Sequence, residues 1–213
     1  MKFENLIEIL GDEPVFETSL LLVGNVNPRE IRRQLSRWSK AGRIHQLRRG
    51  LYVLASPYRK RYPHPFFVAN QMVRSSYVSC QSALSYYDMI PEYTPAIMSV
   101  TVRRPGIWTT ELGRFEFKHI KSEFFHGYDM KELGDNQNVF IATPEKALLD
   151  LIYLVPGSYT KCYLKELRLH FPEMFNLHTF QKLVEHTKSP KLQKAAKNIQ
   201  RIYEEEHREY QTL

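Results

Sequence analysis

Nine side chains between residues 29 and 49 could contact a long polyanion. Eight are arginine or lysine and one is serine, and Glu30 is the only acidic residue from Arg29 to Arg61. Arginine can hydrogen-bond guanine through two atoms, and serine or lysine can contact bases or phosphates. An ordinary solvated surface mixes both signs of charge, so this pattern predicts binding to double-stranded DNA. The nine residues are Arg29, Arg32, Arg33, Ser36, Arg37, Lys40, Arg43, Arg48 and Arg49.

A helix over residues 28–41 would position six of these side chains. Asn27 suits the N-cap, Pro28 suits the first helical position, and Gly42 suits the end of the helix. At 100° per residue, three apolar side chains fall within a sector of about 60° that predicts contact with a core. They are Ile31, Leu35 and Trp38. The basic residues from Arg29 to Lys40, together with Ser36, fall on the opposite side of the helix.

A β-hairpin is predicted directly after this helix. Residues 44–47 and 51–54 are two short apolar strands around the turn Arg48-Arg49-Gly50. Shorter helices are predicted at 2–10 and 16–22, which makes residues 1–56 a winged helix-turn-helix. In that module the third helix enters the major groove. Arg48 and Arg49 would be the wing contact, with Arg43 on a nearby phosphate. Which side chains contact bases and which contact the backbone stays open at this level.

The charge distribution supports a basic module joined to a nearly neutral one. The chain has 213 residues and a net charge of +7, and its first 62 residues hold 12 lysines and arginines against 6 acidic residues. The start, Met1-Lys2-Phe3-Glu4-Asn5, lacks the apolar run of a signal peptide, and no stretch is long enough to span a bilayer. These features predict a cytoplasmic protein without membrane association.

The second part of the chain predicts a mixed α+β domain over residues 65–213, after a proline-rich linker at 57–64. The apolar spacing indicates helices at 65–74, 79–89, 161–170, 176–187 and 190–208, and one that begins at Thr143-Pro144. Strands are indicated at 97–102, 114–120 and 139–142. No cofactor or metal motif is found: the eight histidines form no cluster, and Cys80 and Cys162 have no ligand spacing.

The order of several segments in this second domain resembles the AbiEi family. The segments are 77–79, 82–87, 90–92, 99–105, 110–119 and 141–150, the last of them Ile-Ala-Thr-Pro-Glu-Lys-Ala-Leu-Leu-Asp. AbiEi proteins are antitoxins of bacterial abortive-infection (type IV) toxin–antitoxin systems and carry a winged helix in front. The resemblance implies a repressor that binds repeats in its own promoter and a nucleotidyltransferase-like toxin as partner. It also implies neutralisation of the toxin without a stable complex and without catalysis by this chain.

Two other interpretations stay open. Glu116-Phe117-Lys118 fits the acid-x-lysine element of a metal-dependent nuclease, in which a carboxylate holds a divalent ion and lysine stabilises the activated water. Asp129, Asp135 and Asp150 would be further ligands. The last predicted helix has a basic side that could contact a protein or a second stretch of DNA. That side consists of Lys194, Lys197, Arg201 and Arg208.

Overall fold

The computed structural model describes residues 1–24, 26–91 and 95–211, and within them the chain is a mixed α+β fold with two sheets. The α-helices are α1 (Phe3–Leu10), α2 (Pro28–Lys40), α3 (Pro65–Met72), α4 (Cys80–Tyr86), α5 (Pro144–Leu154), α6 (Lys161–Glu166), α7 (Leu177–Thr187) and α8 (Pro190–Gln211). The strands are β1 (Phe16–Glu17), β2 (Ile44–Arg48), β3 (Leu51–Leu54), β4 (Ser76–Val78), β5 (Ile97–Thr101), β6 (Gly106–Thr110), β7 (Gly113–His119), β8 (Tyr128–Glu132) and β9 (Asn138–Ala142). None of the helices in these residues is both long and apolar enough to cross a membrane.

The first 55 residues form a small core under a three-stranded antiparallel sheet of order β1-β3-β2. Helices α1 and α2 contribute most of the buried side chains: Phe3, Leu6, Leu10, Ile31, Leu35 and Trp38. The helix predicted over 16–22 is wrong in part. Phe16 and Glu17 pair with β3, and only Thr18–Leu22 is helical, as a 3₁₀ turn. Pairing with a strand 35 residues further along the chain overrides the local helical pattern here.

The larger sheet has six strands in the order β6-β7-β5-β4-β9-β8. The pairs β5–β7 and β4–β9 are parallel, and the other three are antiparallel. The strands predicted at 97–102, 114–120 and 139–142 are present as β5, β7 and β9. Strands β4, β6 and β8 were not predicted. Glu92, part of one segment on which the family resemblance depends, lies outside the described residues.

The helices of the second half begin close to the predicted positions and several end earlier. Helix α3 ends at Met72 and α4 at Tyr86, since the residue that follows each helix has non-helical backbone angles. The Thr143 side chain accepts a hydrogen bond from the Lys146 amide, and Pro144 begins α5, as predicted. In α8 the buried side chains include Leu192, Ala195 and Ile199.

The segment predicted as a linker is fastened to both halves of the chain. Ser56–Tyr58 form a 3₁₀ turn rather than extended backbone. The Gln137 side chain accepts from the His64 amide at 2.8 Å and donates to the Tyr62 carbonyl at 3.1 Å. One cluster of buried side chains also includes Leu47 and Val53 from the first half and β-sheet residues from the second. The domain boundary stays a prediction, but the two halves share core contacts.

We expect His64 to make stability depend on pH. Its Nδ1 accepts the Phe66 amide at the start of α3, at 3.1 Å, and burial lowers the pKa of His64 below 6.5. The unfolded chain therefore binds a proton here at higher pH than the folded chain does. It follows that the free energy of unfolding decreases as pH falls below 6.5.

Denaturant unfolding between about pH 7.5 and pH 5.5 tests this expectation. His64→Asn keeps a capping acceptor and removes the titration, so the decrease should be smaller in that variant. In this variant part of the decrease in the free energy of unfolding should remain, because burial also lowers the pKa of His126. An identical decrease in the variant and the natural chain would contradict the assignment to His64.

Candidate nucleic-acid interface

Helix α2 presents its basic side chains to solvent because its apolar side is fixed in the core. The Asn27 side chain accepts the Arg29 amide at 3.0 Å, and Pro28 begins the helix. Ile31, Leu35 and Trp38 are buried, as the spacing predicted. The opposite side is exposed along its whole length: Arg29, Arg32, Arg33, Ser36, Arg37 and Lys40. The structure thus brings six of the nine predicted residues onto one surface, here called the α2 face.

The cations of the α2 face have no acidic partners in the part of the chain that the structure describes. Among the described residues, no ion pair involves Arg29, Arg32, Arg33, Arg37 or Lys40. Glu30 lies on the same helix, but it borders an apolar groove with Ile9, Leu20 and Val26. Five unneutralised charges on three helical turns create a strong local positive potential. Such a surface can bind a phosphate backbone and release its counterions.

Of the three remaining predicted residues, two are exposed to solvent and one is bonded to other residues of the chain. Arg49 is exposed at the tip, where Gly50 adopts φ +81° and closes the turn between β2 and β3. Arg43 is exposed at the end of α2, and its guanidinium lies over the Phe3 ring at 5.0 Å from the centroid. Both side chains are therefore open to solvent.

Arg48 is held by contacts within the chain. One guanidinium nitrogen bonds Glu17 at 3.3 Å and the Gln71 carbonyl at 3.4 Å, and the other donates to the Arg49 carbonyl at 2.9 Å. Its side chain is 28% exposed. Pairing of β1 with β3 brings Glu17 beside Arg48, a long-range effect that the sequence pattern did not reveal. A role for Arg48 in the wing contact remains a prediction, and it would require these bonds to be exchanged.

The basic residues of the linker also have partners. Lys60 and Arg61 pair with Asp12 at 3.4 and 3.5 Å, and Arg59 donates to the Leu54 carbonyl at 3.0 Å. Arg59 also lies over the Tyr62 ring. These residues link the linker to the first half of the chain. Among the described residues of the first 62, most lysines and arginines without an ion pair therefore lie on the α2 face or at the hairpin tip.

A fully buried polar network in the second half was missed at the level of sequence. Lys146 and Asp150, one turn apart on α5, form an ion pair with side chains that are 0% and 1% exposed. Lys146 also donates to the Tyr77 hydroxyl at 2.9 Å. The hydroxyls of Tyr77 and Ser79 donate to the other Asp150 oxygen at 2.9 and 2.8 Å. The sequence signal for this network was a lysine and an aspartate at i and i+4 within an apolar helix.

The network joins α5 to strand β4 through buried side chains. Burial raises the pKa of Tyr77 far above its ordinary value, so its phenol stays protonated and can donate. Burial also raises the pKa of Asp150, while Lys146 and the three donated hydrogen bonds act in the opposite direction. Cys80, next to Ser79, is buried as expected, and burial raises the pKa of its thiol. We assign this network to stability, because all four of its side chains are buried.

The residues of the alternative nuclease site are not brought together. Lys118 Nζ pairs with Glu116 itself at 2.5 Å on β7. Asp129 lies on β8, four strands away in the sheet, and Asp150 is bonded to Lys146. Within the residues that the structure describes, no group of three or more His, Cys, Asp or Glu side chains could hold a metal ion. Lys194, Lys197, Arg201 and Arg208 are exposed on α8, as expected from their spacing.

A scan against protein-family models and a search of curated proteins found no match for this chain. The geometry and charge of the α2 face and the hairpin, together with the motif resemblance, therefore support the function proposed for this chain.

Proposed function

We propose that the protein is a DNA-binding transcriptional repressor whose α2 helix enters the major groove. The observation that carries this proposal is the α2 face, with its five exposed and unpaired cations around Ser36. The apolar side of the same helix is buried, so these side chains can act together on one ligand. A helix fits the major groove in width, and arginines on it can reach both base edges and phosphates.

The hairpin completes the proposed interface as a wing. Strands β2 and β3 follow α2 directly, and their turn presents Arg49 to solvent. In a winged helix-turn-helix the wing contacts the flanking phosphates or the minor groove. Arg43, between helix and hairpin, would lie near the same backbone. The winged-helix assignment is part of this proposal; what supports it is the succession of α2, β2 and β3 around one buried core.

We further propose that the protein is an antitoxin of an AbiEi-type toxin–antitoxin system and represses its own operon. The support is the order of motifs in the second half, above all the segment from Ile141 to Asp150. In the structure this segment is the end of β9 and the capped start of α5, and it carries the buried network. The partner would be a nucleotidyltransferase-like toxin. If the gene directly downstream encodes such an enzyme, and this chain relieves its toxicity, the proposal is supported; a regulator alone would repress without relieving toxicity.

Two single substitutions should separate base recognition from backbone binding. Arg33→Ala is expected to cost about 1–3 kcal/mol on a duplex from the promoter of its own operon and to relax preference at one base position. Arg49→Ala should weaken binding to promoter and scrambled duplexes by a similar factor, since a wing contact to phosphate carries no sequence information. Fluorescence anisotropy titrations on both duplexes measure the two effects.

Arg104→Ala is the matched control, because Arg104 is an exposed arginine in the second half of the chain. It should leave binding to both duplexes nearly unchanged. Unchanged binding after Arg33→Ala and Arg37→Ala would remove the α2 face from the interface.

A further inference from the structure

Strand β8 is an open edge of the six-stranded sheet. It pairs with β9 on one side, and none of the described residues pairs with it on the other. Four of its five residues are exposed, Tyr128 being the exception. An open strand edge with exposed backbone groups is a template for pairing with another strand. The question is therefore which strand this edge accepts.

The hydrogen-bond alternation shows which backbone groups of β8 face outward. Just outside the strand pair, Thr143 donates to the Gly127 carbonyl and Leu133 donates to the Gln137 carbonyl. Antiparallel pairs alternate between bonded and non-bonded positions, so the bonded positions of β8 toward β9 are Asp129 and Lys131. The amides and carbonyls of Tyr128, Met130 and Glu132 consequently point away from the sheet. Within residues 1–24, 26–91 and 95–211 they have no hydrogen-bond partner.

The side chains of β8 are self-complementary. If a second copy pairs antiparallel with Met130 opposite Met130, Asp129 lies opposite Lys131 of the second copy, and Lys131 lies opposite its Asp129. These are non-bonded positions, where facing side chains are closest. Neither residue has an ion-pair partner among the described residues. The same register therefore forms two ion pairs that are related by a two-fold axis.

The other face of the same pairing covers exposed apolar surface. Met130 lies opposite Phe140 on β9, and the two side chains are 62% and 42% exposed. Across the dimer axis they would form one continuous row over four strands: Phe140, Met130, and then Met130 and Phe140 of the second copy. In this one register the outward backbone groups form hydrogen bonds and the unpaired charges form ion pairs. The exposed apolar pair is covered as well.

We propose that two copies of this chain associate through β8 in this register and join their sheets into one of twelve strands. The proposed contact uses a surface separate from the proposed DNA interface, because β8 and the α2 face share no residues. The interface is narrow, so the dimer should be weak and should form at high protein concentration. Sedimentation equilibrium of the full chain, without DNA and at low salt, should show a mass that rises from 25.2 kDa toward twice that value over about 1 µM to 1 mM.

Charge reversal at β8 gives a test that only this register can pass. Asp129→Lys places lysine opposite lysine in both pairs, and Lys131→Asp places aspartate opposite aspartate, so each variant alone should dimerise at least about tenfold more weakly. In an equimolar mixture of the two variants every facing pair is again lysine with aspartate, and dimerisation should return. Both side chains are exposed, and unchanged circular dichroism and thermal unfolding confirm that each variant folds.

Two results would overturn the proposal. One is a natural chain that stays at 25.2 kDa at the highest concentration. In that case any occupant of the β8 edge is another protein. The other is equal dimerisation by the natural chain, the two variants and their mixture, which would place the contact on a different surface.

Discussion

Lys146→Met is expected to lower the free energy of unfolding by about 3–5 kcal/mol, because it leaves the Asp150 carboxylate buried without a counter-charge. Asp150 would keep only the two hydroxyl donors from Tyr77 and Ser79. A loss of this size is a large part of the stability of an ordinary domain. Denaturant unfolding followed by circular dichroism measures it as a shift of the midpoint with an unchanged slope.

A matched surface pair provides the control. Lys118 pairs with Glu116 on β7 and is 39% exposed, so Lys118→Met should cost less than about 1 kcal/mol. The double change Lys146→Met with Asp150→Leu should be milder than the sum of the two single changes, since it removes both buried charges together. A loss for Lys146→Met no greater than that for Lys118→Met would show that the buried pair is not ionised in the folded chain.

Removing three cations from the α2 face is expected to weaken DNA binding by at least about 100-fold at moderate salt. The variant is the triple substitution of Arg32, Arg33 and Arg37 by alanine, at exposed positions where alanine favours helix. Each lost phosphate contact should also reduce the steepness of the salt dependence by about 0.9 in the logarithmic slope. Anisotropy titrations at several salt concentrations measure both effects.

The control for this variant removes the same amount of charge elsewhere. Lys161, Lys165 and Lys182 are exposed on α6 and α7, and their triple substitution by alanine lowers the net charge of +7 by the same three units. If overall charge alone attracted the duplex, the two triple variants would bind equally weakly. We expect the α6–α7 variant to retain most of the affinity.

The sequence was sufficient to predict the elements whose signals are local. Helix α2 was predicted with its cap, its first proline and its buried stripe, because all of these lie within 16 consecutive residues. The start of α5 at Thr143-Pro144 was predicted for the same reason. Strands β5 and β7 were also identified from their alternating sequences. Burial alternates along β7, whereas β5 is buried on both sides.

Features that depend on distant parts of the chain could not be predicted. The burial of strand β8 does not alternate, because four of its five residues are exposed at the outer edge of the sheet. The pairing of Arg48 with Glu17 joins residues 31 positions apart, so the hairpin alone suggested two free arginines at its tip. Lysine and aspartate are rarely buried, and nothing local indicated that Lys146 and Asp150 meet Tyr77 across 69 and 73 positions.

The most direct test of the central claim is the salt dependence of binding between the full chain and a promoter duplex. The α2 face and wing should neutralise about five or more phosphates, so the logarithm of the binding constant should fall linearly with the logarithm of salt concentration, with a slope of about −4.5 or steeper. Titrations from about 50 to 200 mM salt measure this slope. Absence of a complex at the lowest salt, or binding that does not change with salt, would contradict the account.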